Sequence, residues 1–224
     1  MTLRAIIFDV DGTLIDSAPD IHKTANEVLA EEGLGLLDMA TVRGFVGHGM
    51  PHLVRQLLGA HGIEDEARAA RMISSFGARY DGAVGLTRFY AGAAEALAAL
   101  KAQGHVLGLC TNKPVAPARA VMRHMGILDC FTAVIGGDSG PRRKPDPEPL
   151  WMAIADCGGG PALFVGDSEV DAATATAAGV PLIVHTEGYR KTPAEDFPHV
   201  AAFSDFAALP GIVAAQAEAL ETAG

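Results

Sequence analysis

Short apolar segments alternate with helical segments from residue 92 to residue 185, and this alternation is the strongest constraint on the fold. The predicted helices cover residues 92–103, 116–125, 147–155 and 169–178, and the predicted strands cover residues 105–110, 131–135, 162–165 and 182–185. Another apolar run, residues 5–8, precedes them. Apolar strands joined by helices form crossover units, which build parallel sheets. The sequence therefore predicts a doubly wound α/β fold.

Residues 17–86 interrupt this alternation. Helical periodicity covers residues 21–32, 50–58 and 64–80, and the pattern shows no convincing strand between them. Ser17 and Asp20 have the spacing of a capping box at a helix start, with a proline in the first turn. The sequence thus predicts an all-helical cap domain, residues 17–86, inserted after the first strand of a core domain. That core would comprise residues 1–16 and 87–224, with hinges near residues 15–17 and 84–88.

The charge and the cysteine content restrict the partners and the compartment. The chain has 224 residues, a formal net charge of -10 and three cysteines. Such an acidic chain is not expected to bind nucleic acid or an anionic membrane unspecifically, because both carry negative charge. The first residues reach a charge too early for a signal peptide, and no apolar run approaches the roughly 18 residues of a membrane span. We therefore expect a cytoplasmic monomer or homodimer with reduced cysteines.

Polar residues follow several of the predicted strands. Asp9 and Asp11 come after the first strand and point to the same side, because strand side chains alternate between faces. Ligands of an open parallel sheet bind outside the carboxyl ends of its strands, so residues at these ends are expected to meet. The other members of this group are Thr111, Asn112, Lys144, Asp167, Ser168 and Asp171. Together they are suited to a metal or phosphoryl site.

Each of these features also has an ordinary structural explanation. The Asp-Gly pair after the first strand is common in turns. Thr111 and Asn112 suit a helix cap, and Lys144 could be a solvated surface lysine. Asp167 could belong to an N-cap that complements the helix dipole. The argument for a functional site is that all four groups fall at the ends of one set of strands.

Four segments of the chain resemble the four ordered motifs of the haloacid dehalogenase superfamily. These segments are residues 9–14, 111–114, 144–147 and 166–171. The helical insertion stands where that superfamily carries its C1-type cap. The pair Asp9 and Asp11 resembles the phosphatases and phosphomutases of the superfamily, whereas the dehalogenases lack the second aspartate. Residues 45–49, 111–114 and 134–138 are most similar to the phosphoglycolate phosphatase branch.

The resemblance implies a Mg²⁺-dependent phosphatase acting on a small phosphorylated metabolite, with 2-phosphoglycolate as the leading substrate. In this scheme the carboxylates of Asp9 and Asp167 and the backbone carbonyl of Asp11 bind the metal, and oxygen ligands favour Mg²⁺ over zinc. Asp9 attacks phosphorus and forms an aspartyl-phosphate. Asp11 acts first as general acid and then as general base, and the neighbouring charge should favour the protonated form that it needs first.

The remaining motif residues have supporting roles in the same scheme. The hydroxyl of Thr111 and the backbone N–H of Asn112 would bind phosphoryl oxygens. Lys144 would offset the negative charge between the nucleophile and the phosphate. Asp171 and Ser168 would orient the metal ligands from the second layer of contacts.

Substrate specificity is expected to lie in the cap. Arg43 and His48 lie in a glycine-rich stretch, residues 43–49, that is suited to reach towards the core. Arg43 could bind a substrate carboxylate through two hydrogen bonds, or it could be a surface arginine. His48 and His52 are four residues apart, but the glycine and proline between them disfavour the regular helix that a zinc-binding pair of this spacing needs.

Several other activities remain open from the sequence. A phosphatase of the same mechanism could act on a sugar phosphate or a nucleotide, and a phosphomutase would return the phosphoryl group to its substrate. A phosphonate hydrolase would need a Schiff-base lysine from the cap, where Lys23 is the only lysine. A binding protein without catalysis would have no evident use for the reacting groups.

Overall fold

The computed structural model describes residues 5–222, and the side chains of residues 5–219. The strands are β1 (Ala5–Phe8), β2 (Ile15–Asp16), β3 (Arg88–Phe89), β4 (Val106–Cys110), β5 (Phe131–Ile135), β6 (Ala162–Gly166), β7 (Leu182–His185) and β8 (Ala201–Phe203). The α-helices are α1 (Ala18–Glu31), α2 (Met39–Arg43), α3 (Met50–Gly59), α4 (Glu66–Tyr80), α5 (Ala93–Ala102), α6 (Val115–His124), α7 (Glu148–Asp156), α8 (Glu169–Ala178) and α9 (Leu209–Thr222).

Six of the strands form one sheet in the order β5-β4-β1-β6-β7-β8. Every neighbouring pair in this sheet is parallel. The strand order reverses at β1, which pairs with β4 on one side and with β6 on the other. The predicted doubly wound α/β fold is therefore confirmed, and its switch point lies at the end of β1, where ligands of such sheets bind.

Helices cover both faces of the sheet, and β1 is apolar on both sides for that reason. Its residues Ile6 and Phe8 pack with residues of α5, α6 and α9, and they are fully buried. Ala5 and Ile7 point to the opposite face and pack with residues of α7 and α8. The charged residues that follow β1 are thus held on a strand whose position is fixed from both faces.

The four helices α1–α4 lie between β2 and β3 and have a hydrophobic core of their own. That core includes Ile21, Val28, Leu29, Val54, Leu57, Met72 and Phe76. Residues 17–86 contain no strand, as the sequence pattern indicates. At the base of the insertion β2 pairs antiparallel with β3, with Ile15 opposite Phe89 and Asp16 opposite Arg88. The division into domains at residues 16 and 87 stays a prediction, and these packing contacts agree with it.

The start of α1 differs from the capping box predicted at Ser17 and Asp20. The Ser17 hydroxyl donates to Asp11 Oδ1 at 2.6 Å, and Asp20 accepts the backbone N–H of Thr87 at 2.7 Å. The backbone N–H of Ser17 and that of the next residue instead donate to the Tyr189 hydroxyl. The capping-box prediction was wrong because both side chains bind partners outside the helix.

The predicted elements between residues 92 and 185 agree with the observed ones to within one residue at each end. The sequence analysis did not predict α2, β2, β3, β8 or α9. The first four have between two and five residues each, which is too short for a periodic pattern to develop. Among the described residues, no helix is both long and apolar enough to cross a membrane.

Candidate active site

The chain turns sharply after β1, where Asp9 and Asp11 lie. Gly12 donates its N–H to the carbonyl of Ile15 at 2.9 Å and has a φ of +88°. A Cβ atom on Gly12 would lie 2.5 Å from Asp167 Oδ2. Only glycine satisfies both the backbone conformation and the close approach of this carboxylate. The Asp-Gly turn is therefore present, and it forms part of the candidate site.

Three buried carboxylates meet at the carboxyl ends of β1 and β6. One oxygen from each of Asp9, Asp167 and Asp171 lies within 4.8 Å of the others. Lys144 reaches this cluster from the loop before α7, and its Nζ lies 3.0 Å from Asp9 Oδ1 and 2.7 Å from Asp171 Oδ1. Lys144 is only 3% exposed, so it is not a solvated surface lysine. The cluster thus combines three carboxyl groups with one ammonium group.

Burial and mutual repulsion alter the protonation of this cluster. Burial raises the pKa of Asp9 to about 6, against the lowering effect of the Lys144 ammonium. Burial also raises the pKa of Asp167, and the charges of Asp171 and Asp9 raise it further. For Lys144, burial alone would lower the pKa, but the carboxylates of Asp171 and Asp9 raise it above its ordinary value. Lys144 is therefore charged at neutral pH.

Asp167 and Asp171 are held by hydrogen bonds to separate parts of the chain. Asp167 accepts the Thr13 hydroxyl on Oδ1 at 2.7 Å and the backbone N–H of Tyr189 on Oδ2 at 2.6 Å. Asp171 accepts Lys144 on Oδ1, and its Oδ2 accepts the hydroxyl and the backbone N–H of Ser168. The contacts with Ser168 also support the start of α8, so helix capping and site support coincide there.

The donor set of the carboxylate cluster fits a divalent cation. Its candidate ligand atoms are all oxygens, which Mg²⁺ prefers. Asp9 Oδ1 is buried and accepts no hydrogen bond, although Lys144 lies 3.0 Å from it. A single lysine cannot balance three carboxylates, and uncompensated buried charge is costly. Asp9 is the carboxylate most free to bind a cation, because Asp167 and Asp171 each accept hydrogen bonds on both oxygens. The Asp11 carboxylate lies outside this group of three.

The Asp11 side chain is paired with a different cation. Lys113 Nζ lies 3.0 Å from Asp11 Oδ1, which also accepts the Ser17 hydroxyl at 2.6 Å. Lys113 donates to the hydroxyl of Tyr80 as well, and its Nζ lies 4.2 Å from the centre of that ring. The sequence places the negative charge of Asp9 beside Asp11. The structure adds a positive charge on the other side.

Thr111 and Asn112 follow β4 and precede Lys113, and both are buried. The Asn112 side chain donates to the carbonyls of Gly47 and Lys144, at 2.9 Å each. It thereby connects the glycine-rich stretch of the insertion to the loop that carries Lys144. Lys113 was not predicted as a site residue, and its only signal in the sequence was its position directly after two predicted site residues.

A cavity of about 50 Å³ lies between the strand ends and the insertion. We define its floor as the core residues Asp9, Asp11, Thr111, Asn112, Lys113 and Pro114. We define its wall as the insertion residues Ile21, Val46, Gly47, Gly49, Met50, Leu53, Phe76 and Tyr80. This volume has room for only a few water molecules, so the cavity suits a small ligand. Among the described residues that line it, Lys113 is the only lysine, arginine or histidine.

Arg43 and His48, predicted to bind substrate, are not among the described residues that line this cavity. The Arg43 guanidinium lies 4.8 Å from the centre of the Tyr189 ring and donates to the Gly188 carbonyl at 3.0 Å. His48 is exposed, and its ring lies 4.8 Å from that of His52. The structure thus gives Arg43 a contact between the insertion and the core, and its contact with a substrate carboxylate stays a prediction.

Tyr189 links the insertion to the carboxylate cluster. Its hydroxyl accepts the backbone N–H groups of Ser17 and Ala18 and donates to Asp16 Oδ1 at 2.7 Å. Its own backbone N–H binds Asp167. The sequence analysis missed Tyr189, because a single tyrosine in a loop belongs to no motif or periodic pattern.

Comparison with known proteins agrees with this geometry. The family model of the haloacid dehalogenase-like hydrolases matches residues 3–179. The phosphoglycolate phosphatase of Rhodobacter capsulatus is 49% identical over 210 residues, which cover 93% of this chain and 96% of the relative. That of Rhodospirillum rubrum is 43% identical over 216 residues, which cover 92% and 89%.

Solved structures give the same result. A crystal structure from Haemophilus somnus, described as a predicted phosphoglycolate phosphatase, has a TM-score of 0.88 and 31% identity. The match covers 95% of this chain and 99% of that chain. The fold is therefore shared with these relatives, and the chain is a hydrolase that belongs to the haloacid dehalogenase-like family.

Proposed function

We propose that this chain is a Mg²⁺-dependent phosphatase that hydrolyses a small phosphate monoester, with 2-phosphoglycolate as its substrate. The observation that carries the proposal is the buried group of Asp9, Asp167 and Lys144 beside a small cavity. An anionic nucleophile can approach an anionic phosphate only when positive charge offsets their repulsion, and this group provides for that. The names of the relatives from Rhodobacter capsulatus and Rhodospirillum rubrum support phosphoglycolate as the substrate.

The metal site in this proposal consists of the carboxylates of Asp9 and Asp167 and the backbone carbonyl of Asp11. When bound, Mg²⁺ supplies positive charge that polarises the phosphoryl group and orients it towards the nucleophile. Asp171 and Ser168 support the site indirectly, because their hydrogen bonds fix Lys144 and the backbone at Asp167.

Asp9 is the nucleophile. Its carboxylate oxygen attacks phosphorus while the bond from phosphorus to the ester oxygen breaks, which gives an aspartyl-phosphate and an alcohol. Lys144 is charged and lies 3.0 Å from Asp9 Oδ1, so it orients the nucleophile and offsets the charge that gathers around phosphorus. The Thr111 hydroxyl and the Asn112 backbone N–H bind phosphoryl oxygens.

Asp11 is the general acid and then the general base. It donates a proton to the departing ester oxygen, and it later takes a proton from the water that hydrolyses the aspartyl-phosphate. Asp11 thus returns to its starting state after each turnover. Lys113 and Ser17 hold its carboxyl group at the cavity floor, apart from the carboxylate cluster.

The phosphonate hydrolase alternative has no support in this arrangement. Its Schiff-base lysine would have to be Lys23, which is exposed and is not among the described residues that line the cavity. As for location, Cys110, Cys130 and Cys157 are all unpaired, as is usual in a reducing compartment. We infer a cytoplasmic location on that ground.

The test is turnover of a panel of phosphorylated metabolites by the purified protein, with Mg²⁺ and with a chelator. We expect phosphoglycolate to be among the substrates with the highest kcat/KM, release of inorganic phosphate without an isomerised product, and no turnover in the chelator. Asp9→Asn should lower kcat by about 10⁴-fold or more. Asp156→Asn, which changes an exposed carboxylate on α7, is the matched control.

The outcomes separate the parts of the proposal. A clear preference for sugar phosphates or nucleotides would contradict phosphoglycolate as the substrate but would be consistent with phosphatase activity. An isomerised product would indicate a phosphomutase. Full activity of Asp9→Asn would contradict the mechanism itself.

A further inference from the structure

Lys113 is a buried cation that the mechanism above uses only to hold Asp11. Its side chain is 4% exposed, and its Nζ faces the cavity floor and wall through Asp11 and Tyr80. An ammonium group has three N–H donors. In the described part of the chain its contacts go to Asp11 Oδ1 at 3.0 Å, to Asp11 Oδ2 at 3.3 Å and to the Tyr80 hydroxyl. The two oxygens of Asp11 can share one N–H in a three-centre hydrogen bond, which leaves one donor for a ligand in the cavity.

The proposed substrate has a second anionic group that needs a partner. In 2-phosphoglycolate a single methylene separates the carboxylate carbon from the ester oxygen. A carboxylate entering the cavity would meet Asp9 and Asp11 on the floor and mostly apolar side chains on the wall, such as Ile21 and Leu53. Burying it there without a cation would be strongly unfavourable.

The position of Lys113 matches the place that this carboxylate must take. Asp11 has to reach the ester oxygen in order to protonate it, and Lys113 Nζ lies 3.0 Å from Asp11 Oδ1. An ester oxygen bound by Asp11 would therefore lie near this ammonium, and the substrate carboxylate is only one methylene further along. Arg43, the other candidate for this contact, is bound to the Gly188 carbonyl and to the Tyr189 ring outside the cavity.

We propose that Lys113 binds the carboxylate of the substrate and thereby makes the enzyme prefer acidic phosphate esters to neutral ones. This inference rests on the proposed function, and it adds the residue that determines which phosphate ester is accepted. In this proposal Lys113 has two roles. It fixes Asp11 on the floor, and it neutralises the second charge of the substrate.

The experiment compares 2-phosphoglycolate with ethyl phosphate, which has the same ester methylene but a methyl group in place of the carboxylate. The measured quantity is the ratio of the two kcat/KM values, in which the fraction of active enzyme cancels. Lys113→Met should lower this ratio by about 100-fold, the effect of one charge-assisted hydrogen bond. Lys113→Arg should keep the ratio within about tenfold of wild type, because it keeps the charge.

Lys101→Met is the matched control, since it removes an exposed lysine on α5 and should leave the ratio unchanged. If Lys113→Met is too slow to assay, binding of the two esters to Asp9→Asn protein, with and without Lys113→Met, gives the same comparison without turnover. The expected result is again a selective loss of affinity for phosphoglycolate.

A ratio that stays constant while both kcat/KM values fall would overturn the assignment, because Lys113 would then act only on Asp11 or on the fold. A wild-type enzyme without any preference for phosphoglycolate would instead overturn the proposed substrate, and the Lys113 assignment with it. The two failures are therefore distinguishable in one set of measurements.

Discussion

The floor and the wall of the cavity differ in the polarity of their side chains. The floor residues Asp9, Asp11 and Lys113 have ionisable side chains, and contacts of 3.0 Å connect them to each other or to Lys144. The wall is mostly apolar, and its buried members Ile21, Leu53 and Phe76 belong to the separate hydrophobic core of the insertion. The floor belongs to strand ends fixed by a parallel sheet, whereas the wall belongs to helices attached through two short linkers.

This difference suggests that the floor carries out catalysis and that the wall determines the choice of substrate. Electrostatic groups act on a reacting phosphate only when their positions are fixed beforehand, and strand ends of a buried sheet provide such positions. Apolar packing tolerates changes of side-chain shape much better than a charged cluster tolerates loss of a charge. We therefore expect substitutions on the floor to affect catalysis strongly, and substitutions on the wall to affect mainly the choice of substrate.

The largest effect is expected for Lys144→Met, because Lys144 pairs with the floor residue Asp9. This change removes the only ammonium within the cluster of Asp9, Asp167 and Asp171 and leaves their charges uncompensated. It should lower kcat by about 10³-fold and destabilise the fold by about 3 kcal/mol. Steady-state kinetics and urea unfolding measure the two effects, with Lys101→Met as the exposed control. Near-normal activity of Lys144→Met would contradict the claim that the charged groups at the floor are required for catalysis.

The next effect concerns the stability of the metal-free protein. Burial raises the pKa of Asp9 from 3.8 to about 6 in the folded state. The stability that comes from this group is complete below about pH 3.8 and is lost as the pH rises through about 6. In a chelator, Asp9→Asn should therefore be more stable than wild type by about 3 kcal/mol at pH 7.5, and the difference should vanish near pH 4.

Thermal unfolding across this pH range tests the stability effect. Added Mg²⁺ should stabilise the wild type more than Asp9→Asn, because the variant lacks one ligand. Equal stability of the two proteins at pH 7.5 in the chelator would contradict the raised pKa of Asp9 in the folded state.

A smaller effect is expected at the junction of core and insertion. Tyr189→Phe removes the hydroxyl that accepts the N–H groups of Ser17 and Ala18 and donates to Asp16. It should cost about 1–2 kcal/mol of unfolding free energy. Tyr90→Phe is the matched control, because the Tyr90 hydroxyl is buried without a hydrogen-bond partner and its removal should be neutral or stabilising. Equal losses in both variants would contradict the role of Tyr189 as a linker contact.

The smallest catalytic effect is expected on the wall. Leu53→Val changes the shape of a buried side chain that lines the cavity but makes no polar contact with the floor. It should change kcat/KM for phosphoglycolate by no more than about tenfold and leave the Mg²⁺ dependence unaltered. Assays with phosphoglycolate and with a larger phosphate ester measure the change in preference. A loss comparable to that of Lys144→Met would show that the wall takes part in the chemistry.

The sequence predicted the floor better than the wall for physical reasons. Asp9, Asp11, Lys144 and Asp167 follow strands or lie in a loop whose place in a parallel sheet is set by topology, so their meeting could be expected. Lys113 was missed because a lysine beside a motif gives no sign of whether packing will bury it.

The sequence pattern could not predict contacts between residues that are far apart in the chain. The Ser17 hydroxyl binds Asp11, and the Tyr189 hydroxyl, 172 positions away, accepts the Ser17 backbone N–H that the Asp20 side chain would have accepted in a capping box. Arg43 likewise binds the carbonyl of Gly188, 145 positions away. Such partners become visible only when the loop after β7 has been placed against the insertion.

The most direct test of the central claim is to look for the phosphoryl group on the protein during turnover. Phosphoglycolate labelled with radioactive phosphate is mixed with enzyme and Mg²⁺, quenched in acid within milliseconds, and the labelled peptide is identified. The account predicts label on Asp9 in the wild type, more of it in Asp11→Asn, which lacks the base for hydrolysis, and none in Asp9→Asn. Label on another residue, or label that persists in Asp9→Asn, would contradict it.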